Sequence, residues 1–192
     1  MNKNKLLTAL EKLNIFEYND IDKLMSISKF KKYKKGEDLV KSGNFTDQIF
    51  YLHSGALHTF FVSENSEKVT KLITFPDEFI ASYTSILKNE KSKVNIQALT
   101  DVEVIIFKYK ELKNLFLSNP NIERFSGSLF TNYLTKLECR YLILHDSDAK
   151  TRYLELLQNK PEFILNLPLR IIASYLAITP RHLSRIRAST FK

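Results

Sequence analysis

The chain has 192 residues, of which 44% are hydrophobic, and it carries a formal net charge of +8. Its length suits one large or two small domains, and its 14 Phe and 9 Tyr side chains exclude global disorder. A single cysteine, Cys139, excludes an intramolecular disulfide, a four-cysteine iron–sulfur cluster and a structural zinc site built on cysteines. No apolar run approaches the roughly 20 residues of a membrane span, and no signal-peptide core follows Met1. We therefore expect a cytoplasmic protein with no membrane partner.

Two short helices are predicted before residue 28. Leucines recur at helical spacing on one face of the first helix: Leu6, Leu10 and Leu13. In the second helix, Asn19 or Asp20 is expected to cap the segment 21–27.

Between about residues 29 and 107 the hydrophobic period changes from helical to alternating. Val94, Ile96 and Ala98, for example, alternate with polar residues. Short segments rich in β-branched and aromatic residues are separated by turn residues: KFKKYKKGEDLV, QIFYLHSG, ALHTFFV, KVTKLITF, VNIQAL and VEVIIF. This pattern predicts an antiparallel β-roll or barrel with no parallel βαβ unit.

After Phe107 the helical period returns. A short helix is predicted over 109–118, followed by a long helix over 121–145 with two apolar stripes. The stripes are Ile122, Phe125, Leu129, Tyr133 and Leu137, and beside them Phe130, Leu134, Tyr141 and Leu144. A lone surface helix needs one stripe, so we expect one side to cover the β-roll and the other to form a homodimer. We place the dimer contact at Phe125, Leu129, Tyr133 and Leu137; the alternative is a helix buried within its own domain.

The segment LRIIASYLAITPRHLSRIRAS is predicted to be a helix-turn-helix that follows a helix over 149–159 and a link over 161–167. Ile172 and Leu176 lie one helical turn apart, and the small Ala173 stands where two helices cross closely. Thr179 is placed to cap the second helix, with Pro180 at its first position.

The second helix of this motif carries a donor-rich face that suits the major groove of DNA: Arg181, His182, Ser184, Arg185 and Arg187. From residue 163 to residue 192 there are five basic residues and no acidic one. The alternative is an ordinary surface helix pair with solvated arginines. The agreement of cap, crossing residue, turn and charge favours double-stranded DNA as the partner.

A β-roll, a long helix and a C-terminal helix-turn-helix, in this order, resemble the bacterial regulators of the Crp/Fnr family. The resemblance rests on KKGEDLVKSGNFTDQIFYLHSGALHTFF, with turn positions at Gly36, Gly43, Asp47 and Gly55, and on IASYLAITPRHLSRIRA, which is similar to the Bacteroidetes-type branch. It implies an α+β fold: a cyclic-nucleotide-binding-like jelly roll with flanking helices over 1–120, a dimerisation helix over 121–145 and a DNA-binding domain over 146–192. The chain stops soon after the second helix, so we expect a helix-turn-helix without a β-hairpin wing.

The resemblance also implies a sequence-specific transcriptional regulator rather than an enzyme, with RNA polymerase as a further partner. Arg181, His182 and Arg185 match the family's base-reading positions. Contacts to DNA phosphates are implied for Thr179, Ser184 and Arg187. Family members usually have glycine at the turn between the two helices, where φ is positive; Ala177 replaces it here, at a cost of about 1 kcal/mol.

The effector pocket departs from the family's cyclic-nucleotide sensors. Glu78 matches their acidic position, but Asp77 replaces the preceding glycine, and Ser92, beside Lys93, replaces the arginine that holds the cyclic phosphate. A lysine lacks the bidentate fork of an arginine. We therefore predict a cassette that has kept its shape but does not bind cyclic AMP, with an unknown small-molecule effector and no cofactor; the main rival is a roll that responds to no ligand.

Two alternatives stay open for the roll. In the first, it senses a cyclic nucleotide or another small ligand after all; in the second, it is a cupin-like metal enzyme. Against the second, His53 and His58 have no third ligand at metal-binding spacing, so no metal site is predicted.

Overall fold

Eight antiparallel strands form two four-stranded sheets in a computed structural model that describes residues 7–8 and 18–190. The strands are β1 (Ser28–Tyr33), β2 (Asp38–Val40), β3 (Gln48–Ser54), β4 (Leu57–Val62), β5 (Lys68–Thr74), β6 (Glu78–Ala81), β7 (Asn95–Ala98) and β8 (Val102–Lys108). The first sheet has the order β1-β8-β3-β6 and the second has the order β2-β7-β4-β5. The predicted antiparallel roll is confirmed, with β6 as a strand that the sequence pattern did not reveal.

The central strands of the first sheet are buried on both faces, which explains their unbroken apolar sequences. In β3, Phe50 and Leu52 face the second sheet and join the core inside the roll. Their neighbours Ile49 and Tyr51 point the other way and pack against helices. Because successive side chains of a strand alternate between faces, a strand covered on both sides needs apolar residues throughout.

Eight helices complete the described part of the chain. They are α1 (Tyr18–Ser26), α2 (Tyr83–Lys88), α3 (Tyr109–Ser118), α4 (Pro120–Asp146), α5 (Ala149–Asn159), α6 (Pro161–Ile164), α7 (Leu169–Tyr175) and α8 (Pro180–Thr190). The helices predicted over 109–118 and 149–159 are found at those bounds, and the long helix extends one residue further at each end. The predicted helix through Leu6, Leu10 and Leu13 lies outside the described residues.

Asp20 links α1 to the long helix α4. The sequence had suggested that it caps α1. Helix α1 begins at Tyr18, so Asn19 and Asp20 both lie inside it. The buried Asp20 carboxylate accepts hydrogen bonds from the side-chain amides of Asn119 and Asn121. Asn119 in turn caps α4, because its side-chain oxygen accepts from the backbone N–H groups of residues 121 and 122.

The inner stripe of the long helix α4 covers the roll of its own chain, which corrects the predicted dimer contact. Phe125 is 3% exposed in the core that α1, α3 and the first sheet share, and Leu129 packs against the same core. The Tyr133 ring lies 4.1 Å from the Tyr83 ring of α2, measured between centroids. Of the residues assigned to the dimer, these three are engaged within the subunit.

The outer stripe of α4 has the spacing of a coiled-coil seam. It consists of the second predicted stripe together with Leu137, which the sequence pattern had assigned to the first stripe. Its members alternate between steps of four and three residues: Phe130, Leu134, Leu137, Tyr141 and Leu144. Leu134 is 63% exposed and Tyr141 is 62% exposed. A helix that repeats apolar residues in this way presents one continuous apolar face to a partner helix.

The C-terminal helices pack against β5, the edge strand of the second sheet. The Ser174 hydroxyl of α7 accepts a hydrogen bond from the Thr70 backbone N–H at 2.9 Å and donates to the Lys68 carbonyl at 3.4 Å. Roll residues and C-terminal residues share one buried cluster, in which Ile73 and Phe75 lie with Ile172 and Leu176. The roll and the C-terminal helices are therefore joined by a common core.

Candidate nucleic-acid interface and effector cavity

Helices α7 and α8 form the predicted helix-turn-helix around a small buried core. Ile172, Ala173 and Leu183 are each 0% exposed, and the small Ala173 allows the two helices to approach closely. The buried Leu176 and Ile186 extend this core at either side. Because the apolar faces of both helices are used in this packing, the polar face of α8 is directed to solvent.

The turn between the helices has the backbone conformation that the sequence comparison anticipated. Ala177 has a φ of +54°, which is the left-handed region that favours glycine. The following residue closes the turn, because the Ile178 backbone N–H donates to the Ala173 carbonyl at 3.0 Å. Helix α8 begins at Pro180, and the Thr179 hydroxyl accepts from the His182 backbone N–H at 3.2 Å. The predicted cap is thus present.

The exposed face of α8 carries the residues that were assigned to base reading. Arg181, His182 and Arg185 are all exposed, as is Ser184 between them. Helix α8 contains no acidic residue that would neutralise this face. The α8 surface therefore offers arginine donors to a groove or a phosphate backbone.

Arg187 differs from the other arginines of α8, which corrects its predicted role at a DNA phosphate. Its Nη2 donates to the Ile164 carbonyl at 3.0 Å, and its guanidinium lies 5.7 Å from the centroid of the buried Tyr153 ring. Its Nε is buried. Arg187 therefore holds α8 to α6 and α5, and we remove it from the candidate phosphate contacts.

A cavity of about 200 Å³ lies between the roll and the long helix α4. Roll residues line one wall, and α4 supplies the other: Leu72, Thr74, Asp77, Glu78, Phe79, Ile80, Phe125, Ser128, Leu129, Asn132, Tyr133 and Lys136. Lys136 Nζ donates to Glu78 Oε2 at 2.5 Å and also to the Ile73 carbonyl at 3.3 Å. The acid that matches the sensors' ligand-binding position is therefore paired with a cation from the chain itself.

Ser92 and Lys93, the other predicted pocket residues, do not line this cavity. Ser92 is 2% exposed, and its hydroxyl donates to the Val94 carbonyl at 2.7 Å within its own loop. The Lys93 side chain is exposed and lies 4.0 Å from Glu90. The structure thus brings Glu78 together with Lys136, which the sequence did not single out, and not with Ser92 or Lys93. The sequence offered one signal for Lys136: it lies three residues after Tyr133, so it is on the side of α4 that covers the roll.

Asp77 occupies a backbone conformation that explains the family's glycine at this position. Its φ is +69°, and its backbone N–H donates to the Leu52 carbonyl at 2.9 Å. Its carboxylate accepts a hydrogen bond from the Tyr51 hydroxyl at 2.5 Å. Burial, together with this hydrogen bond, raises the pKa of Tyr51 well above its usual value. The tyrosine therefore stays protonated and fixes Asp77 at the rim of the cavity.

His58 is a buried strand histidine with a polar neighbour. Its Nε2 lies 3.3 Å from Gln97 Oε1, and its ring stacks on Phe60 with 4.7 Å between centroids. Desolvation lowers the pKa of His58 to about 4, although the hydrogen bond to Gln97 opposes the shift. Within the described residues, no group of three or more His, Cys, Asp or Glu side chains is arranged to hold a metal ion. Nor does that part of the chain contain a helix long and apolar enough to cross a membrane.

Comparisons with known proteins agree with this architecture. Residues 30–119 match the family described as the cyclic nucleotide-binding domain. The chain is 24% identical over 185 residues to the transcriptional activator protein Anr of Pseudomonas protegens, covering 91% of this chain and 74% of that relative. It is 25% identical over 161 residues to the transcriptional activator protein FnrA of Stutzerimonas stutzeri, covering 84% of this chain and 62% of that relative.

Solved structures share the fold over most of the chain. The structure of FixK2 from Bradyrhizobium japonicum superposes with a TM-score of 0.73 at 18% identity, covering 85% of this chain and 84% of that one. The c-di-GMP responsive global regulator CLP of Xanthomonas campestris superposes with a TM-score of 0.70 at 14% identity, covering 91% of each chain. The branch within the family stays a prediction.

Proposed function

We propose that the chain is a transcriptional regulator of the Crp/Fnr type, which binds specific double-stranded DNA sites as a homodimer. The observation that carries this proposal is the exposed, acid-free face of α8 on a buried helix-turn-helix core. A rigid core is needed, since base reading depends on side chains held at a fixed distance from the groove.

In this proposal α8 is the recognition helix. Arg181, His182 and Arg185 read base edges, and an arginine bidentate to guanine contributes about 1–3 kcal/mol of discrimination. Thr179 and Ser184 contact phosphates near the start of the helix. The DNA-binding domain of this proposal spans 146–192, and its helices and their caps supply contacts to the DNA backbone.

The homodimer of this proposal forms along the outer stripe of α4. Leu134 and Tyr141 are exposed in the single chain, and together with Leu137 they follow the heptad spacing of a coiled coil. Two subunits joined at this seam would present two recognition helices to half-sites about one helical turn of DNA apart. We retain 121–145 as the dimerisation helix and 1–120 as the effector domain.

The effector remains unidentified, and the cavity beside Glu78 is its proposed site. Because Lys136 already neutralises Glu78, the ligand is not expected to be cyclic AMP or cyclic GMP. A change at this cavity would act on α4, which forms one wall, and so on the relative position of the two recognition helices. By analogy with relatives named transcriptional activators, a contact with RNA polymerase belongs to the same proposal.

The test is a selection of DNA sites from a random duplex library, followed by gel-shift titration. Arg185→Ala should abolish the preference for the selected site, whereas Arg170→Ala, which removes an exposed arginine from α7, should retain the sequence preference. Failure of the wild-type chain to enrich any site would refute the proposed function. Full site preference in Arg185→Ala would instead show that another face of the motif reads the bases.

A further inference from the structure

A second cavity lies at the junction between the long helix and the DNA-binding unit. It has a volume of about 120 Å³, and α4, α5 and α7 all contribute to its walls. Two arginines, Arg140 of α4 and Arg152 of α5, line it together with Glu155, and Tyr175 closes one side. It shares no lining residue with the cavity beside Glu78.

Arg140 is held rigidly but retains free donors. Its Nη2 donates to the Tyr175 carbonyl at 2.7 Å and to the Thr70 carbonyl at 3.3 Å, and its guanidinium carbon lies 3.9 Å from the centroid of the Tyr175 ring. Among the described residues, no carbonyl or carboxylate accepts a hydrogen bond from its Nε or Nη1, although the Tyr175 side chain also interacts with the guanidinium. Burial lowers the pKa of Arg140, Tyr175 opposes this shift, and the positive charge of Arg152 adds a smaller lowering of the same pKa. The two guanidinium groups therefore repel each other across the cavity.

Arg152 also retains free donors. Its Nη1 donates to the Ser147 carbonyl at 2.5 Å and to the Leu144 carbonyl at 3.4 Å, at the end of α4. Its Nε is buried and has no hydrogen-bond partner within the described structure. The nearby Asp148 carboxylate is exposed and caps α5 by accepting from the Thr151 backbone N–H at 2.8 Å.

Two arginines in one cavity form an electrostatic arrangement that an anion would complete. Across the described residues, neither guanidinium lies within 4.0 Å of a carboxylate, although Glu155 is part of the lining. Partly buried cations that no carboxylate contacts are costly, and arginine forks match the oxygens of a phosphate. Asp148 compensates Arg152 only at longer range: its pKa is lowered first by the Thr151 hydrogen bond and to a smaller extent by the Arg152 charge. We propose that this cavity binds a phosphate-type oxyanion between Arg140 and Arg152, at the junction of the long helix and the DNA-binding unit.

The size of the cavity limits the ligand. A phosphate group fits within about 120 Å³, whereas an attached nucleoside would extend into solvent. A bound oxyanion would bridge α4 and α5 and, through Arg140, the Tyr175 carbonyl of α7. It would thus stabilise one orientation of the helix-turn-helix relative to the long helix. This inference does not depend on DNA binding, because the anion site exists in the single chain.

The experiment is a titration of the full chain with inorganic phosphate at constant ionic strength, read by calorimetry and by the unfolding temperature. The wild-type protein should show a saturable rise in unfolding temperature. Arg152→Gln should weaken phosphate binding by about tenfold or more, since a hydrogen bond to a charged group is lost. Arg124→Gln removes an exposed arginine from the same long helix and should bind as the wild-type protein does.

Glu155→Gln distinguishes an anion site from a merely structural role of the arginines. It removes a negative charge from the lining while keeping the side-chain shape, so phosphate binding should tighten by about threefold. The same variant serves if Arg152→Gln does not fold. A parallel titration with adenosine 5′-monophosphate shows whether the oxyanion is free or part of a nucleotide. Binding tighter than that of inorganic phosphate indicates a nucleotide, and equal or weaker binding indicates the free ion.

Two outcomes would overturn the proposal. One is the absence of saturable phosphate binding to the wild-type chain. The other is equal phosphate affinity in the wild type, Arg152→Gln and Glu155→Gln, because binding would then occur elsewhere on the basic surface.

Discussion

Replacing Ala177 by glycine should stabilise the protein, although replacing alanine by glycine inside a helix normally lowers the free energy of unfolding. Ala177 has a φ of +54° and is exposed, so its methyl group strains the backbone without contributing to a core. The left-handed conformation costs an L-residue about 1–2 kcal/mol. Glycine removes that cost but loses about 0.5–1 kcal/mol through the greater freedom of the unfolded chain. At the middle of these ranges the net gain in the free energy of unfolding is about 0.7 kcal/mol, or about 2–3 °C in the unfolding temperature of a chain of this size.

Urea unfolding followed by circular dichroism measures this gain, and Ala188→Gly provides a matched control. Ala188 is exposed within α8, where glycine should cost about 0.5–1 kcal/mol. The two variants make the same chemical change and should therefore shift the urea midpoint in opposite directions. A lower midpoint for Ala177→Gly would refute the reasoning, because it would mean that the turn does not strain an alanine.

Three further outcomes are expected. Leu134→Glu should convert the dimer to a monomer in sedimentation, whereas Leu117→Glu, at an exposed leucine of α3, should not; a dimeric Leu134→Glu would exclude the outer stripe. Acidification from pH 6.5 to about 4 should destabilise the protein. In the unfolded chain His58 binds a proton near pH 6.5, whereas in the folded protein its pKa is about 4, so protonation favours the unfolded state across this range. By pH 5 this loss reaches about 2 kcal/mol, and a His58→Gln variant with an unchanged pH dependence would contradict it. Calorimetry should detect no micromolar binding of cyclic AMP or cyclic GMP to the wild-type chain, because Lys136 pairs with Glu78; binding would show that a ligand can displace the lysine.

Patterns that depend on local sequence were predictable, and choices between equivalent faces were not. The cap at Thr179 follows from the chemistry of one side chain, and the positive φ at Ala177 was implied by the resemblance to a family with glycine at this turn, so the helix-turn-helix was located correctly. Periodicity located two stripes on the long helix, but it cannot say which stripe meets the roll. That choice depends on where Tyr83 and the first sheet lie after folding.

Two side chains show why the site was only partly predicted. Arg187 has the same spacing as a surface arginine, yet a carbonyl of α6 and the ring of Tyr153 hold it. Lys136 pairs with Glu78, which is 58 residues away in the sequence. Neither contact has a local signature, because both arise from elements that meet only in the folded chain. The strand β6 was missed for a different reason, since its sequence EFIA places three apolar residues in a row and so shows no alternation.

The hydrogen bonds of the Ser174 hydroxyl to the edge strand β5 determine what happens when the roll is produced without the C-terminal helices. An uncovered edge strand offers its backbone groups to any other chain, and Thr70 would become such a template if residues 146–192 were removed. The same truncation would expose the apolar side chains of Ile73 and Phe75 beside that edge. A fragment that ends with the long helix α4 should therefore self-associate and precipitate when it is produced alone. The C-terminal helices therefore protect the β5 edge of the roll from other chains. Replacing them by the C-terminal helices of a relative would keep the roll soluble only if the new helices covered that edge as well.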